Sequence, residues 1–518
     1  MLKKARSVLA VLMAVLLAAA LFSACASKDE SGSKVSSQAA DTSSGSSEAA
    51  SQDAADADSG NEVVKLRLWT VIDSANSGVP AVAEAISAIT REKIGVEIEF
   101  VGKQDAEKMN LAMTSGEALD LMTTHGLPGA GLTYVVSTGY ARPLDDLMNE
   151  YAQDTLAILP DYFLKCGQLN GVTYSIPHLK DAARAAGLVM RQDVLDELKI
   201  DAGAIKTWDD VHEVLLKVKE GRPDLYPLVP SWGNGGYQET LPYDDLGGGY
   251  GVLENVFEDS TTVVDLYQSD SYREFCERMF KWNKEGLFMP DVTTSTESLI
   301  GTKGFSSLEN LKPGKAQEVS HYDEVGGYAL IDLTTPYTYT NMVGGSSFII
   351  PNISENPEKA MQLLNLMFTD PEISTLFVDG IEGVNYVYTD DTRTAIKTPD
   401  DFDEENHKYS RVDWAWPNMR ITPPWETVDA DVYDQLAEFC DSARTSPALG
   451  FRFDTANVMN EISACDNVVA KYNTSLRWGE MDPAETLPQF ISELKEAGVD
   501  TIVAEKQAQL DEWLKNNK

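Results

Sequence analysis

Nine side chains sit at strand ends or in glycine-rich and irregular loops, where a chain meets small polar molecules: Trp69, Asp120, His125, Arg184, Trp232, Asn234, Tyr237, Trp414 and Trp416. Trp69-Thr70 closes a strand-like run, and Asp120 to His125 brackets another strand end. Trp232, Asn234 and Tyr237 share a loop with glycines that let backbone approach a ligand. Trp414 and Trp416 lie with Asn418 in an irregular segment, and Arg184 ends the polar break Lys180–Arg184. Such groups suit a sugar, because a pyranose offers an apolar face to an aromatic ring and a rim of hydroxyls to Asp, Asn and Arg. Each has a plainer reading beside it: core packing for the indoles, a turn for His125, and for Arg184 a tie that holds the chain where it crosses. Trp282 and Trp425 read as packing residues.

Catalytic spacing is missing. No HExxH, GxSxG, P-loop or zinc-ligand pattern occurs, and five scattered histidines suggest no metal cluster, so no cofactor is expected. With 82 acidic residues, carboxylate pairs at glycosidase-like separation arise by chance and decide nothing. A net charge of −40 makes nucleic acid a poor partner, since binding phosphates needs a basic surface. Screening within about 10 Å still lets a local arginine pocket hold an anion.

The first 60 residues decide location. Lys3, Lys4 and Arg6 precede an apolar run from Val8 to Phe22, and small residues lead into Cys25, the order of an export signal over 1–24. The Ser23-Ala24-Cys25 stretch resembles a bacterial lipobox, with Phe22 where Leu, Val or Ile is usual. That resemblance implies an acylated Cys25 anchored in a membrane, and the alternative is an ordinary secreted protein with a free thiol. Residues 26–60, rich in Ser, Ala and Asp, cannot bury enough surface to order themselves and read as a flexible tether. Cys166, Cys276, Cys440 and Cys465 form no CxxC, and the nearest couple, Cys440 and Cys465, reads either as a pair or as buried free thiols.

The remaining Asn61–Lys518 is too long for one core. Alternation over Val63–Trp69, a helix over Pro80–Lys93, a strand over Val96–Val101, a helix over Asp105–Ser115 and a strand over Leu119–Thr123 give the pattern of a parallel sheet. Asn170-Gly171 marks a hairpin. After the polar break come a strand at Leu188–Met190 and a helix from Trp208, with Thr207 and Asp210 as its capping signal. Strands at Tyr226–Pro230, Tyr328–Leu333 and Ser347–Pro351, helices at Ser271–Glu285 and from Pro357, and three C-terminal helices complete two α/β units.

Gly171-Val-Thr-Tyr-Ser-Ile-Pro177, Val189-Met-Arg-Gln-Asp193 and Thr207-Trp-Asp-Asp210 resemble, in that order, the solute-binding lipoproteins of bacterial ABC importers. Ser446-Pro-Ala-Leu-Gly-Phe-Arg-Phe-Asp454 and Glu505-Lys-Gln-Ala-Gln-Leu-Asp-Glu-Trp513 are similar to the C-terminal domain of a carbohydrate-type subgroup. The resemblance implies a two-lobed α/β fold with a multistranded hinge and a helical C-terminal region. It also implies a carbohydrate ligand, a permease partner and a monomer. Lobe one is then expected over 61–180 plus 344–392, lobe two over 185–325 plus 447–518, and an irregular crossing over 393–446. Crossings between the lobes are expected near Lys180–Gly187, Tyr328–Asn341 and within Asp400–Pro447. A peptide receptor or adhesin of the same fold is the alternative, with a secreted carbohydrate-active enzyme behind it. Replacing Trp232 with Ala is expected to weaken sugar binding by about 1–3 kcal/mol if its ring stacks on the ligand. Unchanged affinity in a folded variant would remove it from the site.

Overall fold

In the computed structural model, residues 63–517 are described apart from 104–105, 126–130, 231–239, 249, 291, 295–302 and 321–324. Cys25, Trp232, Asn234 and Tyr237 lie outside the described residues. The strands that position the site are, in chain order, β1 (Val64–Thr70), β2 (Val96–Lys103), β3 (Leu121–Thr123), β4 (Ile176–Pro177), β5 (Ala185–Arg191), β6 (Tyr226–Leu228), β7 (Gly304–Leu311), β8 (Tyr328–Asp332), β9 (Tyr337–Thr338), β10 (Ser347–Ile349) and β11 (Arg444–Thr445).

The first sheet runs β2-β1-β3-β10-β4. Its first three strands are parallel, as the alternating helices require, and β10 and β4 join antiparallel to their neighbours. Leu66 and Leu68 of β1 are fully buried while Lys65 is exposed, the alternation that sets its register. The helix Pro357–Thr369 packs on this sheet through Ala360, Leu363, Leu364, Met367 and Phe368, a stripe at helical spacing. Asn170 and Gly171 both take positive φ, 53° and 79°, and close the small hairpin.

The second sheet runs β8-β5-β7-β6 and is mixed, with β5 antiparallel to both β8 and β7. All seven residues of β5 are buried, the continuous run of a strand covered on both faces. The capping signal is formed: the Asp210 amide donates to Thr207 Oγ1 at 3.1 Å, and the Thr207 amide to the Asp210 carboxylate at 2.9 Å. Helices Asp270–Lys284, Met459–Arg477, Pro483–Ala497 and Val499–Asn516 pack in the core of this sheet, Phe275, Met279 and Trp282 facing inward. Cys166, Cys276, Cys440 and Cys465 are free thiols.

Three chain segments join the two sheets. Arg184 and Tyr337 exchange both backbone hydrogen bonds, at 3.0 and 2.9 Å, and β9 pairs in parallel with β11. Residues 393–446 include short 3-10 turns at Asp413–Ala415 and Met419–Ile421 and a helix at Val432–Asp441. Strand β7 and the short helices between 132 and 166 are absent from the sequence reading. Gly187 permits the closest approach in the second sheet, since a Cβ there would lie 2.0 Å from the Ile331 carbonyl oxygen. Gly187→Ala is therefore expected to lose at least about 2 kcal/mol in urea unfolding or to fail to fold; near-wild-type stability would show that β8 can shift away.

Candidate functional site

A cavity of about 540 Å³ opens between the sheets at the joining segments. The first sheet contributes Thr124 and His125, just past the carboxyl end of β3, and Ser346, just before β10. Ligands of open α/β sheets sit beyond such strand ends. The second sheet contributes Asn310 and Leu311 at the end of β7, followed by Lys312, Lys315 and Glu318. Lys180, Asp181 and Arg184 come from the first joining segment, Tyr339 and Asn341 from the second, and Asp245 from a glycine-rich loop.

The polar groups are held in place before any ligand arrives. Arg184 Nε donates to Tyr337 Oη at 2.9 Å and Nη1 to Asn310 Oδ1 at 2.7 Å, and its guanidinium lies 5.3 Å from the Tyr337 and Tyr339 ring centroids. Arg184 thus lines the cavity and also fastens the joint. Asn341 Nδ2 donates to Asp245 Oδ2 at 2.8 Å, while its own Oδ1 is buried without a hydrogen-bond partner. Burial, with Lys180 adding to it, lowers His125 below its ordinary range, leaving a neutral imidazole that meets Ser346 Oγ at 3.2 Å. The Trp414 ring stands edge-on to His125, with centroids 4.5 Å apart.

An ion network runs along one wall. Asp181 receives Lys180 Nζ at 3.0 Å and Lys312 Nζ at 3.2 Å, and Glu318 lies 3.5 Å from both Lys312 and Lys315. Burial alone would raise the Asp181 carboxyl, but the charges of Lys180 and Lys312 outweigh it and hold the group below the usual carboxylate range. Burial likewise works against the Lys312 ammonium, and Asp181, Glu318 and Asp413 hold it above its usual range.

Of the nine side chains singled out in the sequence, His125, Arg184 and Trp414 line the cavity. Trp69, Asp120 and Trp416 do not. Trp69 is 7% exposed and packs with Met109 and Met122. Asp120 binds the Arg67 amide at 2.9 Å and Ser354 Oγ at 2.7 Å, pinning the strand end rather than facing the cavity. Trp416, 1% exposed, stacks on Phe348 and meets Phe377. Trp282 is core, as expected, whereas Trp425 lines a chamber of about 250 Å³ that shares Trp414 and Lys312 with the main cavity. Sequence reasoning passed over Lys180, Asp181, Asp245, Asn310, Lys312 and Asn341. Lys180-Asp181 stood in the polar break, the one signal that could have flagged them.

A family model described as bacterial extracellular solute-binding protein matches residues 73–372, and one described as a domain of unknown function matches 447–515. A carbohydrate ABC transporter substrate-binding protein of Streptococcus pneumoniae is 26% identical over 479 residues, 89% of this chain and 93% of that protein. The crystal structure of an N-glycan transport solute-binding protein from Streptococcus pneumoniae superposes with a TM-score of 0.77 at 25% identity, covering 88% of this chain and all of that one. The same protein has been solved in complex with Man1GlcNAc and with Man5GlcNAc. An alginate-binding protein shares the fold, with a TM-score of 0.59 at 15% identity over 87% of this chain and 98% of its own.

Asp181, depressed when folded, contributes stability that is complete above about pH 4 and lost as pH falls through its folded value. Lys312, raised when folded, contributes below about pH 10 and loses that contribution as pH rises through its folded value. Asp181→Asn is expected to cost about 3 kcal/mol in urea unfolding at pH 7, with the gap to wild type narrowing below pH 4. Equal stability at pH 7 would show that the network contributes nothing.

Proposed function

The chain belongs to the bacterial extracellular solute-binding proteins, and from that premise we propose that it captures a sugar or short oligosaccharide in the cavity and delivers it to an ABC import permease. The observation that carries this reading is the cavity wall itself, built from both sheets and the joining segments, with an aromatic edge at Trp414 and amides, a neutral imidazole and charged groups around it. Those are the partners that pyranose faces and hydroxyls require. The names of the pneumococcal relatives, one a carbohydrate transporter component and one crystallised with glycans, support the same ligand class.

Binding favours the closed arrangement only by the additional contacts made there, a differential of a few kcal/mol. The sugar leaves unchanged. Asp181 and Glu318 are engaged by lysines, and Asp245 by Asn341, so the carboxylates are committed to holding rather than to acid–base exchange. Acylated Cys25 and the spacer to Gly60 keep the binding body at the outer face of the cell membrane, raising its effective concentration at the permease. The spacer's composition and the basic, apolar leader support this placement.

A thermal-shift screen of residues 61–518 against mono- and oligosaccharides, with peptides as controls, tests the reading. Saturation at about a hundredfold over Kd adds roughly 2.7 kcal/mol and moves the midpoint by several degrees at most. The sugar is expected back intact, and Trp414→Ala is expected to weaken binding by about 1–3 kcal/mol. A response to peptides alone would overturn the carbohydrate assignment, and a hydrolysed sugar would overturn binding without turnover.

A further inference from the structure

Lys506, on the C-terminal helix, has no exposed surface, a rare placement for a lysine. Its Nζ donates to three backbone carbonyls of one loop: Asp245 at 3.1 Å, Gly248 at 2.8 Å and Gly251 at 2.9 Å. An ammonium has three donors and a neutral amine only two, so this set is complete only for the charged form. The loop is shaped for it. Leu246, Gly247, Gly248 and Gly251 all take positive φ, at 56°, 90°, 102° and 86°. The Asp244 carboxylate caps the Leu246 amide at 2.8 Å, the Asp245 carboxylate caps the Gly247 amide at 3.1 Å, and the ring of Phe453 lies 4.9 Å from the ammonium. Converging carbonyl oxygens are the ligand type that hard cations take from protein loops. Burial draws the Lys506 ammonium down to about 7, while Asp245 and Asp244 favour its charge.

We propose that the carbonyls of Asp245, Gly248 and Gly251 form a cation site whose cation is supplied in cis by Lys506, so that the C-terminal domain fixes Asp245 in the cavity. Asp245 is the link: its carbonyl is held by Lys506, and its carboxylate holds Asn341, whose Oδ1 is the buried acceptor left without a partner. Lys506 is thus a positioning residue, since it does not itself line the cavity and acts through Asp245. The domain of unknown function, 447–515, which completes the second core, gains a role at the cavity as the carrier of that charge.

The test uses the full chain and compares wild type with Lys506→Ala and Lys506→Met. Melting midpoints are followed against methylammonium, potassium or calcium chloride, with choline chloride holding ionic strength constant. The Ala variant, which leaves space in the loop, is expected to melt lower than wild type and to recover by a few degrees, saturably, with at least one of these cations. Wild type and the Met variant, whose apolar tip fills the space without charge, are expected to show no such response. Should the Ala variant not fold alone, refolding with the same cations replaces melting as the readout. Absence of any cation dependence beyond that of wild type, in melting or refolding, overturns the proposal, as does a Met variant as stable as wild type. The consequence for Asp245 rests on the cavity reading above, and is expected as a severalfold loss of sugar affinity in the Ala variant, restored by the cation that restores its midpoint. The melting experiment needs no sugar, so the cation loop and the sugar site fail separately.

Discussion

The pairing of Arg184 with Tyr337 is the constraint on which the rest of the molecule depends. A chain that crosses between two sheets carries backbone donors and acceptors through a region where water is largely excluded, and each must find a partner. Arg184 and Tyr337 satisfy one another through both backbone bonds, and β9 goes on to pair with β11. Side chains reinforce the same joint, for the Arg184 guanidinium reaches Tyr337 Oη and Asn310 on the second sheet. The cavity inherits its position from this arrangement, because its walls are the ends of the elements that the crossings connect.

Charge acts on two scales. The chain as a whole is strongly acidic, yet Lys180, Arg184, Lys312 and Lys315 all line the cavity. The three lysines are paired locally with Asp181, Glu318 and Glu309, while Arg184 is held by the neutral groups of Tyr337 and Asn310, so the surplus of acid elsewhere adds little beyond a screening length. A polar wall organised in this way presents fixed dipoles and charges to incoming hydroxyls without first having to rearrange. The cost of holding those groups is borne by folding.

Local rules made much of the architecture legible. Alternation predicted β1 and β2, Asn170-Gly171 predicted its turn, and Thr207 with Asp210 predicted the start of a helix, because each depends on neighbours in sequence. Strand β7 was not legible. Its Ser306, Ser307 and Glu309 are buried, and Ser306 is satisfied by the Pro227 carbonyl from another strand, a partner no window of sequence contains. The same limit applies to the site. Trp69 and Trp416 differ from Trp414 only in what packs around them, and Asp120 differs from Asp181 only in whether strand ends or lysines surround it. That Arg184 both lines the cavity and ties the joint was open in the sequence because either placement uses the same residue type at the same crossing.

The second core is assembled from distant parts of the chain. Its central strand is β5, but Tyr472, Phe490, Ile502 and Leu510 belong to the same packed cluster. Those residues lie far along the chain from β5. The second core therefore cannot be closed by neighbours in sequence alone: strand β5 precedes the C-terminal helices of the same core by some three hundred residues. Its core is complete only when those distant helices are in place. Such a division of one core between distant stretches of sequence raises the share of long-range contacts, so the second core closes late in folding and the order of its parts in the chain sets when β5 loses its last contact with water.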